Sequence, residues 1–473
     1  MLHKIRTKIV CTIGPASSSD TVLKQMINSG MSVARLNMSH GSFDDHARYV
    51  ETLRTVEDSS RPLALLMDLP ALKYRTGPLK DGKVLLEEGQ EFTLTAQHMI
   101  GDSSIVSVNA YSLVTEVKAG DDILVGDGEL TFCVEQVLED AIKCRVVVGG
   151  VLKEDRGLVV PGSSHTAPYI NDTMLAQIDF AMGHGIDYLA LSLIRNEEDV
   201  KSVKKVLEQK GTGIPIVSKI ETAEAVQNLD GIISASEGIM VARGDLGMEL
   251  PLEKVPMIQK QIVAKCNRFG RPVIVATQML ESMIHAPQPT RAEVADVANA
   301  VFDGTDAVML SAETSVGSYP QAAAAMMSRI MAEAEHSFPY QQKLLGRGSD
   351  LVPQVDDAIA FAACHTAHQL GAKLIIAFTE SGSTALRVAK YRPSVPIVGF
   401  TSSDAVRKKM ALVWGVQAYK VSLSQTIEDM FSNASKTALG MGLVNNGDLV
   451  VITGGSPLGT TGTTNLLKVH VVE

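Results

Sequence analysis

The hydrophobic and polar positions of the chain predict a series of short buried strands separated by helices. Eight apolar runs end in polar residues or glycine, and continuous runs of this length are typical of parallel strands buried on both faces. They read TKIVCTIG, SVARLNMSHG, PLALLMDL, IDYLALSLIR, IPIVSKIE, GIMVARGDLG, PVIVATQM and DAVMLSAET. Between them lie helical segments such as SSSDTVLKQMINSG, with Asp20 as an expected N-terminal cap and Gly30 as a stop. The alternation predicts a (β/α)₈ TIM barrel, with an open doubly wound sheet as the alternative.

Two intervals depart from this pattern. Residues 70–162 alternate with period two and contain the turn sequences KDGK, KAGDD and VGDGE, which predicts an inserted all-β module. Beyond residue 346 the chain has a new series of apolar runs, LIIAF, PIVGFT, VQAYKV and DLVVITGG, which predicts a further α/β domain. The expected division is a barrel at 1–69 and 163–345, an insertion at 70–162 and a C-terminal α/β domain at 346–473.

Composition narrows the function classes. A chain of 473 residues is too long for one ordinary core, and its formal net charge of −10 opposes non-specific binding to nucleic acid or an anionic membrane. No segment approaches the roughly 18 apolar residues that a membrane span needs. The basic N-terminus lacks a cleavage site and is better interpreted as a first strand. Five scattered cysteines without metal-ligand spacing suit a reducing compartment, so we expect a cytoplasmic protein.

Polar residues recur at the carboxyl ends of the apolar runs. In a barrel these ends meet on one face, where catalytic residues sit. One polar residue at a strand end is usually a solvated terminus, but their coincidence at six strand ends predicts a shared site. These residues are Arg35, Asn37, Ser39, Asp68, Lys219, Glu221, Asp245, Thr277, Gln278, Ser311 and Glu313.

The types of these residues indicate phosphoryl transfer. Glu221 and Asp245 offer hard oxygen ligands, too few to cage calcium but suited to Mg²⁺ or Mn²⁺ that keeps water and substrate oxygens. Lys219, Arg35 and Arg75 supply positive charge for a phosphate or carboxylate. Cations placed in advance do most of the work in phosphoryl transfer, because charge spreads over the moving group. No GxxxxGK[ST] loop is present, so the chain is not a P-loop enzyme.

Several long motifs resemble those of the pyruvate kinase family. They are TKIVCTIGPAS, ARLNMSHG, VSKIETAEAVQNLDGIISASEGIMVARGDLGMELP, VIVATQMLESMIHAPQPTRAEVADVANAVFDGTDAVMLSAETSVGSYP and YRPSVPIVGFT. The resemblance covers essentially the whole chain and implies a barrel, a β-rich lid and a C-terminal regulatory domain in a homotetramer. The implied glycolytic reaction turns phosphoenolpyruvate and ADP into pyruvate and ATP. The alternatives are a barrel enzyme that forms the same enolate but makes carbon–carbon bonds, and an inactive effector-binding scaffold.

The resemblance also implies roles for individual residues. Glu221 and Asp245 hold the metal, and Lys219 stabilises the transferring phosphoryl group. The N–H groups of Gly244 and Asp245, with Thr277, take the substrate carboxylate. The other roles are Arg35 and Arg75 for gripping the phosphoryl group, Asn37 and His40 for the ADP site, Asp127 for lid closure, and Thr277 with Ser311 for a proton relay to the enolate carbon. His40 has an alternative interpretation as a residue that ties down a loop, and a chain of bound water is the better proton donor.

The segment DLPALKYRTG at residues 68–77 departs from the family, where it reads like DTKGPEIRTG. By resemblance, side chains matching Asn37, Ser39, Asp68 and position 69 hold a potassium ion. Here position 69 is leucine, and Lys73 replaces an acid. An ammonium about 4 Å from a phosphoryl anion is worth about 4 kcal/mol at an effective dielectric near 20. We therefore predict a Mg²⁺-dependent enzyme that needs no K⁺ because Lys73 replaces it; the alternative is a solvated loop lysine.

The sequence TESGST follows a strand of the C-terminal domain and opens a helix. Its hydroxyls, a glycine and the helix N–H groups predict a phosphate cradle built from Thr379, Ser381, Gly382, Ser383 and Thr384. The family binds phosphosugar effectors here with a later loop resembling GGSPLGTTGTT. Glu380 is an acid where members that respond to fructose 1,6-bisphosphate often carry a base. A monophosphate such as glucose 6-phosphate or ribose 5-phosphate, or AMP, is therefore the expected activator.

Overall fold

A computed structural model describes residues 5–57, 61–71, 73–126, 128–163, 168–348, 352–422, 426–457, 460 and 462–473. The chain starts with alternating strands and helices. They are β1 (Lys8–Thr12), α1 (Asp20–Asn28), β2 (Met31–Asn37), α2 (Phe43–Val56) and β3 (Ala64–Leu69). The expected cap of α1 is off by one residue, because the hydroxyl of Ser19 accepts from the N–H of Val22 and Asp20 is already helical. Gly30 follows the helix with a φ of 114°, a value that favours glycine.

Residues 74–159 then form a separate β-rich unit. Its elements are β4 (Tyr74–Arg75), β5 (Lys83–Leu86), β6 (Glu91–Thr95), β7 (Ile105–Ser107), α3 (Ser112–Glu116), β8 (Asp122–Val125), β9 (Leu130–Val137), β10 (Ala141–Val148), β11 (Gly150–Lys153) and β12 (Gly157–Val159). Seven strands make one sheet in the order β4-β12-β8-β9-β10-β6-β7, and β11 pairs with β5. The short helix α3 is an addition that the period-two pattern did not predict.

The alternation of strands and helices resumes after the β-rich unit. The elements are α4 (Asp172–Gly183), β13 (Tyr188–Leu191), α5 (Glu197–Gln209), β14 (Ile216–Ile220), α6 (Ala223–Gln227), α7 (Leu229–Ala235), β15 (Gly238–Ala242), α8 (Arg243–Glu249), α9 (Val255–Phe269), β16 (Val273–Ala276), α10 (Arg291–Asp303), β17 (Ala307–Leu310), α11 (Ala312–Ser315), α12 (Pro320–His336) and α13 (Tyr340–Gly348). Eight parallel strands close in the order β1-β17-β16-β15-β14-β13-β3-β2. The predicted barrel is confirmed, and its strands lie inside the eight apolar runs, except that β2 begins at Met31, one residue before its run.

Strand alternation divides the barrel core into two layers. On β3, Ala64 and Leu66 belong to the cluster inside the barrel, whereas Leu65, Met67 and Leu69 pack in the layer between strands and helices. Successive side chains of a strand point to opposite faces, so the next residue on the inner face of β3 is Asp68.

The C-terminal α/β domain contains α14 (Val355–Gln369), β18 (Leu374–Phe378), α15 (Ser383–Lys390), β19 (Ile397–Thr401), α16 (Asp404–Lys409), β20 (Val416–Lys420), α17 (Ile427–Gly440), β21 (Leu449–Gly455) and β22 (Thr464–Val471). The sheet order is β20-β19-β18-β21-β22. Ala411 and Leu412 of this domain join the apolar cluster inside the barrel. They close the amino-terminal end of the barrel, which leaves its carboxyl end for the site.

No helix in the described parts of the chain is long and apolar enough to cross a membrane.

Candidate active site

The inner face of the barrel changes from apolar to polar toward the carboxyl ends of its strands. Six apolar inner residues, Val10, Val33, Leu66, Ala190, Val217 and Met309, are each followed two positions later by Thr12, Arg35, Asp68, Ser192, Lys219 and Ser311. Side chains two apart on a strand share a face, so the same register that fills the core directs this polar set into the mouth of the barrel.

Lys219 is the centre of a buried ionic network. Its Nζ lies 2.8 Å from the hydroxyl oxygen of Ser192, 3.2 Å from Oδ1 of Asp68 and 2.8 Å from Oε1 of Glu221. Arg35 contacts the other carboxylate oxygen of Asp68, at 2.9 Å from Nε and 2.8 Å from Nη2. Burial lowers the pKa of Lys219, but the carboxylates of Asp68 and Glu221 outweigh it and raise the pKa above its ordinary value. The ammonium therefore stays charged although only 7% of the residue is exposed.

Glu221 is fully buried at the end of β14. Its Oε2 accepts a 2.6 Å hydrogen bond from the N–H of Leu193, whose φ of 52° lies in the left-handed region that a branched residue rarely occupies. Its Oε1 faces Lys219 but makes no hydrogen bond of good geometry. Burial raises the pKa of Glu221 and the Asp245 carboxylate adds to this, against the opposing charge of Lys219. A buried carboxylate oxygen without a hydrogen bond suits a metal ligand.

Asp245 lies on α8 at the end of β15, and its carboxylate is paired with the amine of Lys73. Burial raises the pKa of Asp245, but the charges of Lys73 and Lys219 outweigh it and lower the pKa. Among the described residues no group of three or more His, Cys, Asp or Glu side chains is placed to cage a metal. Glu221 and Asp245 therefore fit a Mg²⁺ or Mn²⁺ ion that keeps positions for water and substrate oxygens.

Thr277 is held in a strained conformation beside α8. Thr277 and Gln278 have φ values of 70° and 54°, and such strain persists only where the surroundings enforce it. Arg243 supplies this constraint, because its Nη2 donates to the carbonyl oxygens of Thr277 at 2.7 Å and Gln278 at 3.2 Å. The hydroxyl of Thr277 accepts a 2.8 Å hydrogen bond from the N–H of Gly244. The expected carboxylate-binding groups thus lie together.

Arg75 lies in the β-rich unit, away from this network. It is on β4, where Nη1 donates to the carbonyl oxygen of Asp155 at 3.0 Å and lies 3.6 Å from its carboxylate. Asp127, the expected closure residue, lies outside the described residues. The structure therefore does not bring the expected phosphoryl-gripping Arg75 into contact with Lys219.

The expected nucleotide residues line the loop after β2. Asn37 accepts a 3.2 Å hydrogen bond from the N–H of Ser39, and its backbone pairs with Asp68. The side chain of His40 is exposed, and its carbonyl oxygen lies 2.8 Å from Nε2 of the buried His46. His46 therefore ties down this loop, and His40 is left free toward solvent.

The two ends of the proton-relay prediction lie on neighbouring strands. Ser311 follows β17 and its N–H donates to Glu313 at 2.7 Å, while Thr277 follows the adjacent β16. The Glu313 carboxylate also accepts from the N–H of Leu280 at 3.1 Å, so it holds the two strand ends at a fixed spacing.

The sequence interpretation missed three residues of this site. Ser192 closes the fourth apolar run and contacts both Lys219 and Asp68; its place in the run was the available signal. The hydroxyl of Thr12 accepts from Arg35 at 2.9 Å and donates to the carbonyl oxygen of Leu310 at 2.9 Å. Arg243 acts through Thr277 and gave no signal, because this role depends on the backbone carbonyl groups of Thr277 and Gln278, far along the chain.

Four of the five effector residues predicted from TESGST line a cavity at the start of α15: Thr379, Ser381, Ser383 and Thr384. Thr379 is 5% exposed and its hydroxyl has no hydrogen-bond partner, whereas the hydroxyl of Thr384 lies 2.8 Å from that of Thr464. Gly382 precedes α15 with a φ of 94°, in the left-handed region that favours glycine, and an added Cβ would lie 2.5 Å from Cε at the end of the Met410 side chain. Ser381 and Ser383 contact each other at 3.2 Å.

Comparisons with known proteins agree along the chain. The family model described as pyruvate kinase, barrel domain, matches residues 4–324, and the one described as pyruvate kinase, alpha/beta domain, matches residues 357–470. The chain is 44% identical over 474 residues to the pyruvate kinase of Geobacillus stearothermophilus, covering 99% of this chain and 81% of that one. It is 42% identical over 470 residues to that of Staphylococcus epidermidis, covering 99% and 80%.

A solved structure is similar over the same extent. The crystal structure of a pyruvate kinase from Cryptosporidium parvum matches with a TM-score of 0.94 and 37% identity, covering 99% of this chain and 97% of that chain. The fold and the cluster at the barrel mouth define a phosphotransferase of the (β/α)₈-barrel class. The chain belongs to the pyruvate kinase family.

Proposed function

We propose that this chain carries out the pyruvate kinase reaction at the cluster around Lys219, with Mg²⁺ or Mn²⁺ and without K⁺. The reaction moves the phosphoryl group of phosphoenolpyruvate to ADP, giving pyruvate and ATP. The observation that carries the proposal is the charged, buried amine of Lys219, held between Asp68, Ser192 and Glu221 at the barrel mouth. A fixed cation stabilises charge that spreads over a moving phosphoryl group at no cost of reorganisation.

Different groups around Lys219 contact different parts of the substrate. Arg35 and Lys219 face the phosphoryl group, and Asp68 orients both cations through its two oxygens. The N–H groups at Gly244 and Asp245, with the Thr277 hydroxyl, take the carboxylate. Ser311 and Thr277 order the water that protonates the enolate carbon, because neither hydroxyl has a pKa suited to acid work alone.

Glu221 and Asp245 would hold the divalent metal. When bound, the metal supplies Lewis-acid polarisation of the substrate oxygens. The support is the Glu221 oxygen that has no hydrogen bond and the partly exposed Asp245 carboxylate beside it. The surrounding cations Lys219 and Lys73 then meet the negative charge of the substrate.

Lys73 carries the proposal of potassium independence. Its amine reaches the metal carboxylates, and although burial opposes the charge, Glu221 and Asp245 raise the pKa of Lys73. The leucine at position 69 explains less of the predicted potassium independence than the sequence suggested. Its side chain packs between the strands and helices, while Asp68 points into the barrel. A hydroxyl at position 69 would therefore face away from Asp68.

We expect full pyruvate kinase activity with tetramethylammonium as the only monovalent cation. The measurement is a lactate dehydrogenase-coupled assay of pyruvate formation with saturating Mg²⁺, phosphoenolpyruvate and ADP. Because the Lys73 ammonium is already present, adding K⁺ should change kcat by less than about twofold. Loss of most activity without K⁺ would defeat the proposal, and no pyruvate under any condition would defeat the assigned reaction.

Variants at positions 73 and 69 test separately whether Lys73 or Leu69 makes the enzyme independent of K⁺. K73E should lose at least about tenfold in kcat in tetramethylammonium and regain activity with K⁺, because it removes a positive charge and adds a negative one. L69T is the control and should stay independent of K⁺, since its side chain lies in the outer layer.

We propose that the β-rich unit closes over the nucleotide. Arg75 would exchange Asp155 for the phosphoryl group on closure, with Asp127 moving at the same time and Asn37 and His40 lining the ADP site. The support is that Arg75 is partly exposed, with its carboxylate partner Asp155 at 3.6 Å, so its guanidinium can exchange this partner. Closure would exclude water, which otherwise takes the phosphoryl group.

We propose a phosphorylated activator at the start of α15, either a sugar monophosphate or AMP. The buried Thr379 hydroxyl without a partner and the uncapped helix N-terminus at Gly382 support an anion there. The described residues that line the cavity include Glu380, which accepts from Ser402 at 3.1 Å, and no Lys or Arg. A bisphosphate would bring more negative charge than this lining can balance.

We expect the melting temperature to rise by a few degrees with saturating glucose 6-phosphate, ribose 5-phosphate or AMP. The measurement is a thermal shift series that includes fructose 1,6-bisphosphate, which should give a smaller rise. T379V should reduce the shift because it removes the free hydroxyl, while T366V, whose side chain does not line the cavity, should not. Absence of a shift with every compound would remove the site.

We also propose a cytoplasmic homotetramer. Leu252 before α9, Met257 on α9 and Val316 are large apolar side chains on the barrel surface, 74%, 65% and 63% exposed. Val471, on the edge strand β22 of the C-terminal sheet, is 50% exposed. Such surfaces suit contacts between copies of the chain.

A further inference from the structure

Each of the two carboxylates proposed to bind the metal is already paired with a lysine amine of the protein. Glu221 faces the amine of Lys219 at 2.8 Å, and Asp245 is paired with the amine of Lys73. Lys73 and Asp245 are 172 positions apart in the sequence and belong to different parts of the fold. Lys73 directly precedes β4 of the β-rich unit, whereas Asp245 is on α8 of the barrel. Their contact therefore joins the entry of the β-rich unit to the metal site.

The charges of the cluster balance without a metal. Asp68, Glu221 and Asp245 contribute three negative charges, and three cations pair with them: Arg35, Lys219 and Lys73. A divalent cation alone would leave this pocket with two excess positive charges. Phosphoenolpyruvate brings negative charge to the same place, so metal and substrate together restore the balance.

We propose that Lys73 is an internal counter-ion that a divalent cation must displace from Asp245. Metal binding is then weak until an anionic substrate arrives, and the displaced amine becomes available to the phosphoryl group. This inference rests on the proposed metal site at Glu221 and Asp245. It adds an order of events: the amine moves from protein carboxylate to substrate when the metal enters.

The geometry allows this movement without a change of fold. The Lys73 side chain is 37% exposed and the Asp245 side chain 35%, so both lie at the open edge of the cluster. Lysine carries its charge on a flexible four-carbon stem. Lys219, at 9% side-chain exposure and with three partners, is fixed in comparison. Lys73, and not Lys219, is thus the cation that the metal displaces.

The test measures Mn²⁺ binding to the full chain without substrate. The electron paramagnetic resonance signal of free Mn²⁺ gives the unbound concentration. We expect K73M to bind Mn²⁺ about tenfold more tightly than the wild type, because it removes one cation from the carboxylate. K73R should bind as weakly as the wild type. K80M, a change of an exposed lysine in the same β-rich unit, should have no effect. K73Q provides a second neutral variant should K73M fold poorly.

Phosphoenolpyruvate gives a second readout. It should tighten Mn²⁺ binding more in the wild type than in K73M, because only the wild type has a cation to release. K73M and K73Q binding Mn²⁺ no more tightly than the wild type would overturn the counter-ion proposal. Wild-type Mn²⁺ binding that is unchanged in D245N would instead show that the metal site is misassigned.

Discussion

Replacing Lys219 by methionine is expected to lower kcat about a thousandfold or more, with the fold intact. The variant keeps the approximate length of the side chain but removes the ammonium from the phosphoryl position. Removing one preorganised hydrogen-bond donor at a developing anion lowers kcat by a factor on the order of 10²–10³, and removing a cation that assists phosphoryl transfer lowers it by more. In the variant Asp68 keeps its pairing with Arg35, and Glu221 keeps the hydrogen bond from the N–H of Leu193, so both buried carboxylates retain a partner. Steady-state kinetics with the coupled assay measure the change.

Lys8 offers a matched control for this loss. It is also a lysine on a barrel strand, but its amine donates to the carbonyl oxygen of Val416 at 2.7 Å, at the opposite end of the barrel. K8M should therefore keep kcat within about twofold of the wild type, since it touches no reacting group. A drop of less than tenfold in folded K219M would contradict the role assigned to Lys219.

Replacing Arg392 by methionine is expected to destabilise the protein by about 3–5 kcal/mol, the range for removing one partner of a buried ion pair. Arg392 is 1% exposed and belongs to the C-terminal domain. Its Nη2 reaches three groups of the barrel: Asp306 at 2.8 Å, Asn267 at 2.8 Å and the carbonyl oxygen of Gly304 at 2.9 Å. The variant would remove the charged donor from these buried groups and leave Asp306 with backbone N–H donors but no cation, so the two domains should separate at lower denaturant.

The fluorescence of Trp414 measures this separation directly. It is the single tryptophan of the chain, and the Arg392 guanidinium lies 4.9 Å from its ring centre. Urea unfolding followed by this signal should show an earlier transition in R392M. R145M, which removes a solvent-exposed arginine of the β-rich unit, should leave the midpoint unchanged. An unchanged Trp414 transition in R392M would refute the proposed role of Arg392 in holding the C-terminal domain to the barrel.

Much of the fold could be predicted because it follows from local patterns. Strand alternation requires buried runs of a fixed length, and the eight barrel strands coincide with such runs to within one residue. The antiparallel edge strand β22 was not predicted, because TNLLKVHV alternates weakly and is exposed along one side. The cap of α1 moved from Asp20 to Ser19, which is the usual uncertainty of a helix boundary.

The site was predictable where residue type and strand end coincide. Lys219 and Glu221 share a strand face, so their proximity follows from spacing alone. Arg243 was beyond such reasoning, because its role depends on the strained carbonyl groups that follow a neighbouring strand. Arg75 was predicted both in the inserted module and at the phosphoryl group, and the fold pairs it with Asp155 of the β-rich unit instead of placing it at Lys219.

The amino-acid sequence alone determined the barrel, its family and the set of charged residues at the strand ends. Periodicity and motifs are properties of short segments, so they can be recognised in the sequence without knowledge of the tertiary contacts. Only the tertiary structure decided which cation pairs with which carboxylate. Lys73 had been assigned to the phosphoryl group, and the folded chain places its amine on Asp245. Ion pairing depends on distances of a few ångströms between residues far apart in the chain, and closure of the barrel sets those distances.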